Sequence, residues 1–402
     1  MFEYAVKTGP GDNDKKLVSR SLADGLGLSK RDDYYLIFRE QRSGLWFVRK
    51  CRQIHDEGMF IGLNGFETQV LLDFRQEQDV DGKLSTLCAF LDGRGIRDLE
   101  IAWQELRYKE LYESFSKVFV PGLEDAVRSL LLTMKELRRS KIRRANVNSI
   151  CALVEENLLS FYEIANKTIS ASGKRKIKRL ASPKTQFAQF KRKMAHIVRT
   201  AAEIRKNSAV VEKQIALSTK SPKTFLAGGI LSQNEGLLFA VVYSMVADLA
   251  LRGAAKEWAL YRKISEFLKN ANVSEFVTYN FFERAFTLAA KKQPTFGETE
   301  KEAKANSIVA RNIAGGDDAG LLVGANEYDG TVWFKSELMD SSIFIAHEIL
   351  LLGAGKKKSA RILKMFDAIS SAKDASEFKL GEFLKEFPPV IDGRKTRRRS
   401  SK

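Results

Sequence analysis

The stretch DYYLIFREQRSGLWFVRK, Asp33 to Lys50, contains two apolar runs joined by a polar turn. Tyr34–Glu40 and Gly44–Lys50 alternate at period two and are rich in aromatic and β-branched residues, which predicts two antiparallel strands joined through QRSG. Two further runs of the same kind follow at Gly58–Leu63 and Glu67–Phe74. We therefore predict a small antiparallel meander, with one apolar face that must pack against another element.

From about Val80 the apolar residues recur every three or four positions, which is typical of helices. No repeat of fixed period is visible, so a solenoid is not favoured. The fold class predicted is α+β and mostly α. The domains predicted are an N-terminal loop or short helix over 1–31, an antiparallel β-domain over 32–79, a helical domain over 80–390 with a basic break near 172–184, and a disordered basic tail over 391–402.

The composition is that of a globular protein: 402 residues, 44% of them hydrophobic, with a formal net charge of +17. Such a charge attracts nucleic acid, anionic lipid or acidic partners. Cys51, Cys88 and Cys151 are scattered, which argues against a disulfide framework and suits a reducing compartment. No secretory signal is visible, so we predict a cytoplasmic protein.

The most apolar window is Phe225–Leu251, and Gln233, Asn234 and Glu235 interrupt it. Its continuous apolar part is too short to span a bilayer, so we predict a buried helix and no membrane partner.

No familiar catalytic motif is present, and no catalytic residue or cofactor is predicted. The pair His347-Glu348 lacks the second histidine that a zinc-binding helix requires. The chain has only two other histidines, His55 and His196. No metal site is predicted, and His347 is interpreted as a core or rim residue. In DGRG, Asp92 to Gly95, Arg94 and free turn amides suit an anion, but the end of a helix is the favoured interpretation.

Two basic runs, KRKIKR and RKTRRR, are the strongest electrostatic features of the chain. They would neutralise phosphates in a salt-dependent way, whereas the competing interpretation is a solvated linker and tail. No aromatic residue interleaves with either run, so base stacking is not indicated. The candidate polyanion-binding residues are Lys174, Arg175, Lys176, Lys178, Arg179, Arg397, Arg398 and Arg399.

The stretch NEYDGTVWF, Asn326 to Phe334, interrupts the helical pattern. Asp329-Gly330 predicts a turn, and Glu327 and Asp329 flank Tyr328 without any scaffold that would make them a catalytic pair. We predict that Trp333 and Phe334 anchor a short hairpin on the helical core. If Trp333 is fully buried, its replacement by alanine should cost about 3–5 kcal/mol.

Three pieces of the chain, in order, resemble one family. The strands in Asp32–Lys50 and Gly58–Gln76 resemble the β-domain that follows the catalytic barrel in α-amylase-family glycoside hydrolases. FLDGRGIRDLEIAWQEL, from Phe90, and NEYDGTVWFKSE, from Asn326, resemble stretches of long bacterial members. In the last stretch Lys335-Ser336 departs from the family's Asn-Lys, and the matching residues are Asn326, Tyr328, Gly330, Trp333, Phe334 and Glu337.

The resemblance covers Asp32 to about Leu350, and its motifs are structural ones. The family's catalytic acids lie on a barrel of about 250 residues, for which we expect no room in this chain. The resemblance therefore implies a non-catalytic part of an α-glucan-acting system that binds glucan or a separate barrel-bearing chain. The alternative is a basic helical scaffold for nucleic acid or another polyanion. The candidate sugar-binding aromatics are Tyr328, Trp333 and Trp46, and burial in the core is the competing interpretation for each.

Overall fold

The computed structural model describes residues 2–9, 15–63, 65–132, 140–171, 180–206, 234–270, 273–296, 302–352 and 356–390. The chain divides into two compact units, Met1–Lys109 and Glu110–Lys402. The basic residues 174–179 and the tail 391–402 lie outside the described residues. The predicted α+β, mostly helical fold is confirmed.

The first unit is built around a three-stranded antiparallel sheet of order β4-β3-β5. A separate hairpin of β1 and β2 precedes the sheet. The elements of this unit are β1 Phe2–Lys7, β2 Lys15–Arg20, α1 Leu22–Gly25, β3 Tyr34–Glu40, β4 Trp46–Lys50, α2 Cys51–Glu57, β5 Leu71–Gln78, α3 Lys83–Leu91 and α4 Leu99–Arg107.

The central strand β3 is covered on both faces, which explains its continuous apolar run. Leu36 and Phe38 pack with residues of α1 and α2 on one face. Tyr35 and Ile37 pack with Val48 and residues of α3 on the other face. Because successive side chains of a strand point to opposite sides, this one strand contributes to two cores.

The predicted four-stranded meander is wrong in its second half. Gly58–Leu63 is not a strand, and β5 begins at Leu71 rather than at Glu67. The preceding residues form helix α2, in which Cys51 and Ile54 share the buried face, as positions three apart on a helix do. Phe60 in the following loop is almost fully exposed, so the alternation there does not reflect burial. The β1–β2 hairpin within 1–31 was also not predicted.

The second unit is helical except for one short hairpin. Its elements are α5 Lys109–Val118, α6 Leu123–Leu132, α7 Ser140–Ala171, α8 Pro183–Lys206, α9 Asn234–Leu251, α10 Ala254–Glu257, α11 Leu260–Asn270, α12 Glu275–Ala290, α13 Glu302–Ala314, α14 Ala319–Val323, β6 Asn326–Tyr328, β7 Thr331–Trp333, α15 Ser336–Leu352, α16 Lys356–Ala375 and α17 Leu380–Lys385.

Helix α9 is apolar on all sides and is buried almost all round from Leu237 onward. A helix of this kind belongs in the core of a large domain, as the sequence predicted. The buried hydroxyl of Tyr162 on α7 donates to the backbone oxygen of Met245 at 2.7 Å, which ties α7 to α9. Among the described helices, none combines the length and the apolar character needed to cross a bilayer.

Two stretches with helical spacing of apolar residues are each divided into two helices. The run before residue 119 separates into α4 and α5 at Tyr108, and the run after residue 253 separates into α10 and α11. The second break lies at Trp258 and Ala259, where Ala259 adopts a positive φ of 46°. The fully buried Trp258 side chain lies at this corner, and its backbone oxygen accepts a hydrogen bond from the Tyr112 hydroxyl. Helical spacing alone does not reveal such a corner.

Candidate functional site

The stretch Asn326 to Phe334 forms a hairpin, as predicted. Strands β6 and β7 are joined by Asp329 and Gly330, whose φ angles are 48° and 70°. Positive φ at both central residues defines the type I′ turn, for which Asp-Gly is a preferred pair. The turn chemistry of these two residues therefore fixes the register of the hairpin.

This register places the two predicted aromatics on one face of the hairpin. Asn326 pairs with Trp333, and Tyr328 pairs with Thr331. Directly paired residues and residues two apart on a strand share a face, so Tyr328 and Trp333 are diagonal neighbours. Tyr328 is 76% exposed and Trp333 is 37% exposed. We call this pair the aromatic face.

Of the two residues predicted to anchor the hairpin, Phe334 is buried as predicted, whereas the prediction is wrong for Trp333. Phe334 is 5% exposed. Its backbone N–H donates to the oxygen of Phe378 at 3.0 Å, and its ring contacts those of Phe378 and Phe383 with centroid distances of 6.0 and 6.4 Å. Since side chains alternate along a strand, burial of Phe334 turns Trp333 outward.

The preceding helix holds the other side of the hairpin. The N–H of Lys335 donates to the oxygen of Val323 at 2.9 Å, and the Ser342 hydroxyl donates to the oxygen of Leu322. Gly324 ends helix α14 with φ 63°, and a Cβ there would lie 2.9 Å from Leu338 Cδ1. These contacts hold the hairpin in place, so binding a ligand to the aromatic face costs less conformational entropy.

Lys379 completes the surroundings of Trp333 and was not predicted from the sequence. Its backbone forms a β-bridge with Trp333, and its Nζ lies 5.8 Å from the centroid of the Trp333 ring, within cation–π range. The two preceding residues, Glu377 and Phe378, have positive φ angles of 50° and 65°. Non-glycine residues rarely adopt this conformation, and here it turns the chain so that Lys379 reaches the hairpin.

The acids of the hairpin do not form a catalytic pair. Glu327 pairs with Val332, on the face opposite to the aromatic face, and Asp329 lies in the turn. Both residues are exposed. General acid–base chemistry requires carboxyl groups directed at a common substrate, and these two are not so directed.

Trp46 lies in the first unit, in a different environment. It lines a cleft of about 390 Å³ on the sheet. The guanidinium carbons of Arg39 and Arg75 lie 5.7 and 5.4 Å from its ring centroid. Two cations therefore already contact the indole, and Trp46 offers less free ring surface to a sugar than Trp333 does.

His347 is a core residue, as predicted, but its polar atoms are only partly satisfied. His347 and Glu348 on α15 are each 1% exposed, and Nδ1 of the first lies 3.1 Å from Oε1 of the second. His347 Nε2 and Glu348 Oε2 have no hydrogen-bond partner. Burial lowers the pKa of His347 to about 3 and raises the pKa of Glu348. The pair is therefore held without net charge.

The described residues contain no cluster of three or more His, Cys, Asp or Glu side chains that could hold a metal ion. In DGRG, Arg94 donates to the oxygens of Leu91 and Phe90, both at 3.1 Å, and Asp92 ends α3 with φ 42°. The interpretation of this motif as a helix end is confirmed. The candidate polyanion residues, Lys174 to Arg179 and Arg397 to Arg399, lie outside the described part of the chain.

Searches against protein-family models, curated proteins and solved structures find no match to this chain.

Proposed function

We propose that this chain is a non-catalytic, carbohydrate-binding component of an α-amylase-type system, and that the aromatic face of Tyr328 and Trp333 contacts an α-glucan. One observation carries the proposal: Tyr328 and Trp333 are diagonal neighbours on one face of the hairpin, and both are exposed. Exposed aromatic rings provide an apolar surface with polar surroundings, which suits the C–H face of a sugar ring.

The polar groups beside the aromatic face fit the hydroxyl groups of a sugar. Asn326 shares the face through its pairing with Trp333, and the Lys379 ammonium lies above the indole. An amide donates and accepts hydrogen bonds, and an ammonium group donates them. Together they surround an aromatic platform with the donors and acceptors that a hydroxylated ligand requires.

The local charges favour a neutral ligand over a polyanion at this hairpin. Glu327, Asp329 and Glu337 are exposed on the hairpin and on the first turn of α15. Lys379 is shared with Glu377, whose carboxylate lies 3.4 Å from its Nζ. These carboxylates would repel phosphate groups and offset the positive charge of Lys379 beside the aromatic face.

The test is a titration of the full chain with maltoheptaose in 0.5 M NaCl, where attraction between exposed charges is screened. We expect saturable binding, reduced about tenfold or more by Tyr328→Ala or Trp333→Ala, as expected when a stacking aromatic is lost. Phe276→Ala is the matched control, because Phe276 is also exposed, at 78%, but lies on α12 of the same unit. Equal binding by all variants would contradict the proposal.

A second candidate function, binding of a polyanion, is favoured by the net charge of +17 and the two basic runs. It predicts binding to nonspecific DNA or RNA with a steep loss of affinity as salt rises. Replacing Arg397, Arg398 and Arg399 by glutamine should reduce the salt slope, whereas Trp333→Ala should leave it unchanged. Nucleic-acid binding without glucan binding would make this second function the better one.

The proposed separate barrel-bearing chain gives a third outcome. If the chain binds neither maltoheptaose nor nucleic acid, the remaining form of the proposal is that it acts through this protein partner. Such a partner would carry the acid pair that glycoside hydrolysis requires. Co-expression of the chain with a candidate barrel and a measured gain in amylase activity would support this form, and no gain would leave the proposal without support.

A further inference from the structure

The cleft that Trp46 lines in the first unit has an apolar floor. Ile37 and Trp46 of the sheet, Leu84 and Leu87 of α3, and Leu99 of α4 line it. Its volume of about 390 Å³ lies in the range of sites for small molecules. Apolar residues at its floor and charged residues at its rim suit a small ligand that carries both kinds of group.

Charged residues rim the cleft, and most of them neutralise one another. Arg75 Nε lies 3.0 Å from Glu77 Oε1, and Lys83 Nζ lies 2.6 Å from Glu100 Oε2. Carboxylates outnumber cations on this rim, which disfavours a purely anionic ligand. The charged residues of the rim are Arg75, Glu77, Asp79, Asp81, Lys83, Arg97, Asp98 and Glu100.

Two of the remaining carboxylates accept hydrogen bonds from backbone N–H groups at the starts of helices. Asp79 accepts hydrogen bonds from the N–H groups of Leu84 and Ser85 at the start of α3. Asp98 accepts from the N–H groups of Glu100 and Ile101 at the start of α4. These amides are therefore satisfied within the chain, and neither helix start is available to an external anion.

Besides Asp79 and Asp98, the rim residues that form no ion pair within the described part of the chain are Arg97 and Asp81. Arg97 is exposed and forms no hydrogen bond or ion pair within the described ranges. Asp81 accepts one hydrogen bond, from the N–H of Lys83 to its Oδ1 at 3.2 Å. The rim thus offers one guanidinium and one carboxylate, of opposite charge, beside a shared apolar floor.

We propose that this cleft binds a small zwitterion with an apolar body, which is the chemistry of an α-amino acid with an apolar side chain. Arg97 would bind the carboxylate through the paired N–H groups of its guanidinium. Asp81 would accept from the ammonium group, whose charge the acidic rim favours. The side chain would lie on Leu99 and the edge of Trp46. This site is independent of the aromatic face of the other unit.

The test is calorimetric titration of the full chain with L-phenylalanine and two analogues that each lack one charge. Phenethylamine has no carboxylate, and 3-phenylpropanoate has no ammonium group. We expect saturable binding of phenylalanine, and about tenfold or greater loss of affinity for each analogue, because one charged group of the cleft rim then loses its partner on the ligand. No detectable binding of phenylalanine at 10 mM (about the weakest useful affinity), or equal binding of all three probes, would overturn the proposal.

Two variants test whether Arg97 binds the carboxylate of the ligand and Asp81 its ammonium group. Arg97→Gln should reduce phenylalanine binding about tenfold and leave phenethylamine unaffected, and Asp81→Asn should reduce phenylalanine binding but leave 3-phenylpropanoate unaffected. Arg42→Gln is the matched control, since Arg42 is an exposed arginine in the β3–β4 turn and does not line the cleft. Unfolding curves check that all variants fold. Loss of binding in the control equal to that in Arg97→Gln would contradict the assignment.

Discussion

The hairpin at Asn326–Phe334 and the buried pair His347-Glu348 are close in sequence and opposite in environment. Each combines ionisable side chains with apolar residues in the sequence, and from that pattern the hairpin aromatics were predicted as a candidate site and His347 as a core or rim residue. The hairpin exposes Tyr328 and Trp333 on a fixed support, whereas the pair is 1% exposed and contacts only the protein interior. The comparison teaches that only the hairpin aromatics of these two regions are open to the ligand we propose, whereas burial of the ionisable pair links folding stability to pH.

The largest expected effect is on stability, at Phe334. Replacing Phe334 by alanine removes the buried anchor of the hairpin and should reduce the free energy of unfolding by about 3–5 kcal/mol. Urea unfolding measures the change, with Phe276→Ala as an exposed control expected to stay within about 0.5 kcal/mol. A loss of under 1 kcal/mol at Phe334 would mean that the hairpin is not anchored there.

The second prediction concerns the pH dependence produced by the buried pair. Folding lowers the pKa of His347 from 6.5 to about 3, so its stabilising contribution is complete above pH 6.5 and falls as pH decreases below that value. Folding raises the pKa of Glu348 from 4.5, so its contribution is complete below pH 4.5 and falls as pH rises. Between these values the two slopes, each at most about 1.4 kcal/mol per pH unit, oppose each other.

Replacing one residue of the pair should reveal how the other residue alone makes the free energy of unfolding depend on pH. In Glu348→Gln, the free energy of unfolding should rise with pH from 4.5 to 6.5 and then level off. In His347→Gln, it should fall as pH rises above 4.5. The parent should be nearly flat between 4.5 and 6.5 and less stable at pH 8. Urea unfolding at pH 5, 6, 7 and 8 measures these profiles, and parallel profiles in all three proteins would contradict the account.

The third prediction separates binding from stability at Trp333. Because 37% of this residue is exposed, Trp333→Ala should reduce the free energy of unfolding by only about 1 kcal/mol, against about 3–5 kcal/mol for a fully buried tryptophan. Its affinity for maltoheptaose should fall about tenfold or more. If Trp333→Ala instead reduced the free energy of unfolding by several kcal/mol, Trp333 would be a buried anchor of the hairpin.

The smallest expected effect is at Lys379. Its ammonium group contacts the Trp333 ring at an exposed position, where such an interaction contributes about 0.5–1 kcal/mol. Lys379→Met should therefore weaken maltoheptaose binding by about two- to fivefold. Lys385→Met, an exposed lysine on α17, is the matched control. Tighter binding by Lys379→Met would indicate that the lysine obstructs the aromatic face.

Local chemistry was predictable where it depends on neighbouring residues. The Asp329-Gly330 turn and the end of α3 at Asp92 follow from turn signals, and strand β3 at Tyr34–Glu40 follows from its aromatic and aliphatic composition, although it is buried on both faces and not on the one face that was predicted. Helix α2 was missed because its seven residues contain a single pair of apolar residues at helical spacing, Cys51 and Ile54. The sequence on either side has the pattern of strands, so this short helix was not recognised.

The site was less predictable, because it depends on contacts distant in sequence. Which of the adjacent residues Trp333 and Phe334 is buried depends on Phe378 and Phe383, which belong to a later part of the chain. The position of Lys379 depends on the positive φ angles of the two residues before it. Neither signal lies within the hairpin sequence, so sequence patterns identified the aromatics but not their exposure.

The most direct test of the central claim observes the tryptophans themselves. The chain has four, so a 5-fluorotryptophan-labelled protein should give four ¹⁹F resonances, with that of Trp333 assigned by its loss in Trp333→Phe. On addition of maltoheptaose, the account predicts a saturable shift of the Trp333 resonance while those of Trp46 and the buried Trp258 stay fixed. No shift at Trp333, or a shift at Trp46 alone, would contradict the account.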